Sequence, residues 1–256
     1  MRVIVCGGRG FIGRRIVAAL AARGHDVVAI GRGESAAGDV MIWAAGQRMP
    51  DLASNREIHV EGALAAVRAT GASRVIVLST GECYGDAPLP WREDGPALGT
   101  SAYARAKLEA EQAVAAIAPT VVLRVGVGYG PGQAPGMLLP SIATALRAGQ
   151  HIALTDGIQT RDFVYVDDVA EAVVRALVVA PQIINVSSGQ EVAVRDVCLQ
   201  LGRLFGREQL LGFGEIPRRE VDALRYVLDV QRAATVLGWR ATTPLSVGLA
   251  RLALPA

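Results

Sequence analysis

The chain has 256 residues, of which 51% are hydrophobic and 20% charged, a balance that excludes a disordered chain and suits one large domain with a small appendage. The formal net charge of +2 excludes a large basic nucleic-acid surface, and three scattered cysteines (Cys6, Cys83, Cys198) exclude a disulfide scaffold and a paired-cysteine metal site. No apolar run reaches the ~20 residues of a membrane span, and the N-terminus lacks the pattern of a signal peptide. A cytoplasmic protein with neither nucleic-acid nor membrane partners is therefore expected.

Along the chain, strand-like and helix-like segments alternate. Arg2–Cys6 is an apolar, β-branched run ending in glycines. Residues 11–23 carry apolar side chains at helical spacing and stop at Gly24. Asp26–Ile30 and residues 40–45 read as strands, residues 57–70 as a helix ending at Gly71, and residues 74–79 as a fourth strand. Residues 102–117 form an Ala-rich helix stopped before Pro119, and Thr120–Val125 a fifth strand. Beyond residue 130, Pro131, Pro135 and Pro140 loosen the pattern. A helix at Leu138–Ala148 is followed by a strand at 162–166, a helix at 167–178, a short strand at Ile183–Val186 and helices at 194–204 and 245–252. Near-continuous apolar strands between helices imply an α/β fold with a parallel sheet covered on both faces. Residues 1–130, with about 162–180, are expected to form a dinucleotide-binding domain. About 131–161 and 181–256 are expected to form a smaller, interleaved C-terminal substrate region.

Gly7-Gly8-Arg9-Gly10-Phe11-Ile12-Gly13 lies between the first strand and the first helix. Glycine is needed where the chain turns tightly, where backbone approaches a pyrophosphate, and where helix packs on strand. The helix start offers free N–H groups and partial positive charge to phosphate. At the end of the second strand an NAD site usually carries an acid for the ribose hydroxyl. Here Gly31 and Arg32 follow, so Arg32, with Arg9, points to a 2′-phosphate and to NADP, NAD remaining possible.

Of the 26 Lys and Arg residues only Lys107 is lysine, and Tyr103 stands four residues before it, on the same helical face. A nearby ammonium and a cationic nicotinamide favour the phenolate, so Tyr103 can exchange a proton with a substrate hydroxyl or ketone. Lys107 can also hold the nicotinamide ribose. Ser79 and Thr80 end the preceding strand, and Thr80 is placed to hydrogen-bond the reacting oxygen. Cys83 has no histidine nearby in sequence and reads as a packing residue. His25, His59 and His151 lack ligand spacing, so no metal is expected.

Together these motifs resemble the extended short-chain dehydrogenase/reductase family, the NAD-dependent epimerases, dehydratases, decarboxylases and ketoreductases of nucleotide-sugars. The resemblance spans CGGRGFIG, DVMIWAAG, LSTGECYG, SAYARAKLEAE, LRVGVGYGPG, TRDFVYVDDVAEAV and PRREVDALRYVLD. It implies a Rossmann-type doubly wound sheet with Gly7, Arg9, Gly10, Phe11, Ile12, Gly13, Arg32, Ala44, Ala45, Tyr103 and Lys107 at the cofactor. It implies Thr80, Glu82, Tyr103 and Lys107 as catalytic residues, and Thr80, Glu82, Tyr103, Arg161 and Arg219 at a nucleotide-sugar, the two arginines on its diphosphate. A homodimer through the Ala-rich helices is implied as well.

Four departures stand out. Only nine residues, 31–39, separate the second strand from DVMIWAAG, where the family fits a further helix and strand. Val127 replaces a substrate-binding Asn, and Val221 a Gly. The acidic residue that precedes Glu82 in family dehydratases is Gly81 here, which disfavours full dehydration. Glu82 remains open to three readings: base, hydroxyl acceptor or loop residue. The leading function is an NADPH-linked ketoreductase of a nucleotide-linked keto-sugar. The alternative is an epimerase, or a decarboxylase- or dehydratase-type enzyme using Glu82, with internally recycled cofactor. A non-catalytic dinucleotide-binding protein is the third.

Overall fold

The computed structural model describes residues 1–218 and 223–254. Its first part runs β1 (Arg2–Cys6), α1 (Phe11–Ala21), β2 (Asp26–Ile30), β3 (Val40–Trp43), α2 (Leu52–Arg56), α3 (Gly62–Thr70), β4 (Arg74–Thr80), α4 (Ala102–Ala115) and β5 (Thr120–Val125). There follow β6 (Val127–Tyr129), α5 (Leu138–Ala148), β7 (Ile152–Leu154), β8 (Thr160–Tyr165), α6 (Val166–Ala176) and β9 (Ile183–Val186). The last elements are β10 (Glu191–Ala193), α7 (Val194–Phe205), β11 (Leu211–Phe213), α8 (Gln231–Val236) and α9 (Leu245–Ala253). Among the described residues no helix is long and apolar enough to cross a membrane.

Six strands form one parallel sheet in the order β2-β1-β3-β4-β5-β9, the doubly wound Rossmann-type arrangement expected. Alternation within β1 buries both faces. Val3 and Val5 pack with Ile16, Leu20, Val169 and Val173 of α1 and α6. Ile4 and Cys6 pack with Ala63, Val67 and Val114 of α3 and α4. The strand order reverses at β1, whose other neighbour is β3, and a crevice opens beyond the carboxyl ends of these two strands. The site is built there.

Residues 31–39 form neither helix nor strand, so β2 is the edge of the sheet. Ile183–Val186, grouped by sequence with the smaller region, pairs with β5 and closes the opposite edge. A second core joins α5, α7 and α9 through Leu139, Ile142, Leu146, Val197, Leu201 and Leu249. It is bordered by the short sheets β10-β8-β6 and β11-β7; β8 has six residues, but the three-residue β6, β7, β10 and β11 are too brief to leave a period in the sequence.

The helix expected at 57–70 starts earlier and is irregular. Asp51 caps α2 by accepting the Ser54 N–H at 2.8 Å, and a π-helical stretch, Glu57–Glu61, joins α2 to α3.

Candidate active site

The glycine turn is as tight as its residues demand. Gly7 follows β1 with φ +78°, and a Cβ there would lie 2.6 Å from Ala45 Cα. At Gly13 a Cβ would lie 2.1 Å from the Gly7 carbonyl oxygen. Gly10 donates its N–H to that oxygen at 2.9 Å and opens α1 without a side-chain cap, and the first turn carries no acid. The helix start therefore presents N–H groups and positive dipole to an anion. Phe11 packs toward the second core, while Ile12 turns to a cavity.

Two cavities flank the turn. One, of about 620 Å3, is walled by Gly7, Gly31, Arg32, Trp43 and Ala66. The other, of about 150 Å3, is walled by Ile12, Ala44, Ser79, Tyr103 and Lys107. Both include Ala45, Gly46 and Gln47, so they form one groove past the glycines. A dinucleotide fits this donor set: glycine backbone for its pyrophosphate, an apolar wall for one base, and polar side chains at the other end.

Beyond the end of β2 the coil supplies an acid, Glu34, four residues after Ile30. Glu34 folds back, accepting the Gly31 N–H at 2.8 Å and pairing with Arg9 at 2.9 Å. These contacts hold its carboxyl below the usual range, the Arg9 hydrogen bond first. Arg9 is thus already partnered, and Arg32 lies on the exposed coil at the cavity edge.

Ser101 caps α4 by accepting the Ala104 N–H at 3.0 Å, which sets the helix so that Tyr103 and Lys107 face the smaller cavity. Lys107 is buried and donates to the Leu78 carbonyl at 2.5 Å. Burial pushes its ammonium down to about 8, against upward pulls from Cys83 and Glu111. Around Tyr103 the chain's own groups favour the protonated phenol. Burial pushes its phenol up, Glu82 adds to the rise, and the opposing cation is Arg48, whose guanidinium lies 4.6 Å from the ring centre.

Glu82 is ion-paired with that same Arg48, from the loop after β3. Thr80 is nearly buried, accepts the Glu82 N–H at 3.2 Å and adjoins the buried phenol of Tyr226. It is Ser79 that lines the cavity. Beneath it Ser79 donates to Glu111, which holds Arg124 at 2.7 Å with both side chains at most 5% exposed. Arg124 in turn stacks 4.7 Å from the centre of Tyr84. Burial pushes the Cys83 thiol up to about 12, in keeping with a packing residue.

A third cavity, of about 490 Å3, lies over the second core and includes Arg161, Tyr129 and Phe213. Arg161 Nη1 donates to the Thr160 and Ala223 carbonyls at 2.7 and 2.8 Å. Arg219 and Val221 fall outside the described residues. The structure thus brings Ile12, Ala44, Ala45, Tyr103 and Lys107 together and sets Glu82 beside Tyr103 through Arg48. It leaves Arg161 in the separate cavity. Sequence reasoning did not single out Glu34, Arg48, Tyr226 or His59. No short motif marks Arg48, Tyr226 or His59, which reach the site from distant segments, while Glu34 stands two residues after Arg32.

Comparison with known proteins agrees with this geometry. The profile of the NAD dependent epimerase/dehydratase family matches residues 3–43 and 43–187. A UDP-glucose 4-epimerase of Mycolicibacterium smegmatis is 30% identical over 311 positions, covering 98% of this chain and 97% of that one. An alignment longer than this chain means that the relative carries segments absent here. Against a trifunctional UDP-glucose 4,6-dehydratase/epimerase/reductase of Arabidopsis thaliana, 32% identical over 73% of this chain, the chain spans 30% of the relative's length. Among solved structures, MoeE5 in complex with UDP-glucuronic acid and NAD superposes with a TM-score of 0.86 at 28% identity, covering 98% of this chain and 97% of that one. RMD from Pseudomonas aeruginosa complexed with NADPH superposes with a TM-score of 0.85 at 26% identity and the same coverage.

Proposed function

The chain belongs to the NAD dependent epimerase/dehydratase family of nucleotide-sugar enzymes, and from that premise we propose that it is an NADPH-linked ketoreductase acting on a nucleotide-linked keto-sugar. The observation that carries this reading is the coil at residues 31–39, which leaves the larger cavity with an exposed wall. An epimerase must keep its cofactor through two hydride transfers, whereas a reductase must exchange it every turnover. A thin wall buries less of the adenosine half and favours exchange.

When bound, the reduced nicotinamide supplies a hydride to the carbonyl carbon. Tyr103, held protonated at neutral pH by burial, donates its phenolic proton to the carbonyl oxygen. The buried Lys107 ammonium offsets the negative charge left on the phenol, a strong interaction where water is excluded. It also binds ribose hydroxyls. Thr80 hydrogen-bonds the reacting oxygen, and Ser79, whose proton goes to Glu111, accepts from the hydroxyl that reduction forms. Glu82, tied to Arg48, orients that guanidinium over Tyr103 rather than serving as a base. Arg32 and Arg9 take the 2′-phosphate, Arg9 exchanging its Glu34 partner for it. Arg161 and Arg219 bind the substrate diphosphate. The six-stranded sheet carries the dinucleotide, the second core carries the nucleotide-sugar, and two chains associate through their Ala-rich helices.

An internally recycling epimerase is the second reading, favoured by the full-length similarity to a UDP-glucose 4-epimerase. One experiment separates the two. The chain is purified without added cofactor and denatured, and any released nucleotide is identified by chromatography and mass. An empty protein that binds NADPH more tightly than NADH is the expected result. Retained NAD or NADP near one per chain would transfer the assignment to the epimerase. An empty protein that binds neither would end the cofactor assignment.

A further inference from the structure

His59 has no part in the reading above, yet it stands on the wall of the same small cavity as Tyr103 and Lys107. It lies in the π-helical stretch Glu57–Glu61, a backbone irregularity found frequently at functional sites. Its side chain is 1% exposed, and its ring meets that of Tyr103 edge-on with centroids 5.2 Å apart.

The two ring nitrogens differ. Nε2 is 3.1 Å from the Gln47 carbonyl oxygen, a contact that needs an N–H, so Nε2 carries the proton and Nδ1 presents a lone pair. Nδ1 is buried with no hydrogen-bond partner. Gly46, on the same wall, keeps the space beside it clear, since a Cβ there would lie 3.1 Å from Nδ1 and 2.5 Å from Cε1. Burial, then the Lys107 charge, push the imidazole down to about 4, so it is a neutral acceptor at ordinary pH. The Lys107 ammonium donates to Leu78, and among the described residues no donor reaches Nδ1. A buried acceptor without a donor is costly, and an open cavity beside it is where the donor must arrive.

We propose that His59 Nδ1 accepts a hydrogen bond from a hydroxyl group of the ligand that fills this cavity. The inference rests on the oxidoreductase reading and adds a binding residue to it. Two ligands bring hydroxyls to this point: the ribose beside the nicotinamide and the sugar of the substrate.

The test uses the full chain and two variants. His59→Phe keeps a ring against Tyr103 but removes the acceptor, and His59→Asn restores an acceptor oxygen. Binding of NADPH, reduced nicotinamide mononucleotide, 2′,5′-ADP and UDP-glucose is measured by calorimetry. A ribose donor predicts that His59→Phe weakens NADPH and the mononucleotide about tenfold, leaves 2′,5′-ADP unchanged, and is largely rescued by His59→Asn. A sugar donor predicts the same loss and rescue for UDP-glucose alone. Equal affinities in all three proteins, for every probe that the unaltered chain binds, would overturn the proposal. So would a loss in His59→Phe that extends equally to 2′,5′-ADP, since that marks a structural defect. An unaltered chain that binds neither NADPH nor NADH would instead overturn the oxidoreductase reading, and this inference with it.

Discussion

At one end of the groove, Arg9, Arg32 and Glu34 sit on or against an exposed coil, with Arg9 68% and Glu34 45% exposed. At the other end, Lys107, Glu111 and Arg124 are each at most 5% exposed. Charges of similar kind therefore work under different rules. In water-exposed pairs attraction is screened and partners exchange readily. In the buried cluster each charge is strongly coupled to its neighbours, and none can lose its partner cheaply. The exposed end suits a ligand that comes and goes. The buried end suits proton transfer, where a displaced pKa is part of the chemistry.

The comparison is broken most severely at Tyr103. Tyr103→Phe should lower kcat by about 100- to 10,000-fold while NADPH affinity stays within about twofold, checked by steady-state turnover and fluorescence titration. Unchanged turnover would remove Tyr103 from the chemistry. Next comes Glu111→Gln, which strands the Arg124 charge in the interior. A loss of about 3–5 kcal/mol in urea unfolding is expected, whereas Glu34→Gln at the exposed end should leave the unfolding midpoint nearly unmoved.

The pH dependence sharpens the contrast further. Lys107 is held at about 8, below its ordinary 10.5, so the fold disfavours its charged form. Turnover that needs the ammonium should fall as pH rises through about 8. The Lys107 contribution to stability has the opposite sign: the penalty is full below about 8 and is relieved as pH rises toward 10.5. A Lys107→Arg variant that still shows the alkaline fall in its pH–rate profile would assign that fall to another group. The smallest effects belong to the exposed end. Arg32→Ala should weaken NADPH by about three- to tenfold without changing NADH, and Glu34→Gln should tighten NADPH by about twofold, both read by calorimetry. If Arg32→Ala changes nothing and NADH binds better, Glu34 is the ribose partner and the cofactor is NAD.

Local chemistry along the chain specifies the glycine turn, the strands of the main sheet through β5 and the Tyr103/Lys107 face of α4. Each is a local requirement: a positive φ at Gly7, buried β-branched runs, a four-residue helical spacing. It also marked the missing layer at 31–39, because a chain of nine residues has no room for a helix and a strand. Asp51 and Ser54 carry a local capping pattern too, and it marks the start of α2 ahead of the helix expected at 57–70. Which groups meet depends on packing between segments far apart in the chain. Glu34 lies 25 residues from Arg9, Glu82 34 from Arg48, and Ser79 32 from Glu111. His59 reaches Tyr103 across 44 positions of sequence. No periodicity links such pairs. Their contacts exist because parallel strands bring distant loops to one sheet end, and because burial there changes what the same side chains do.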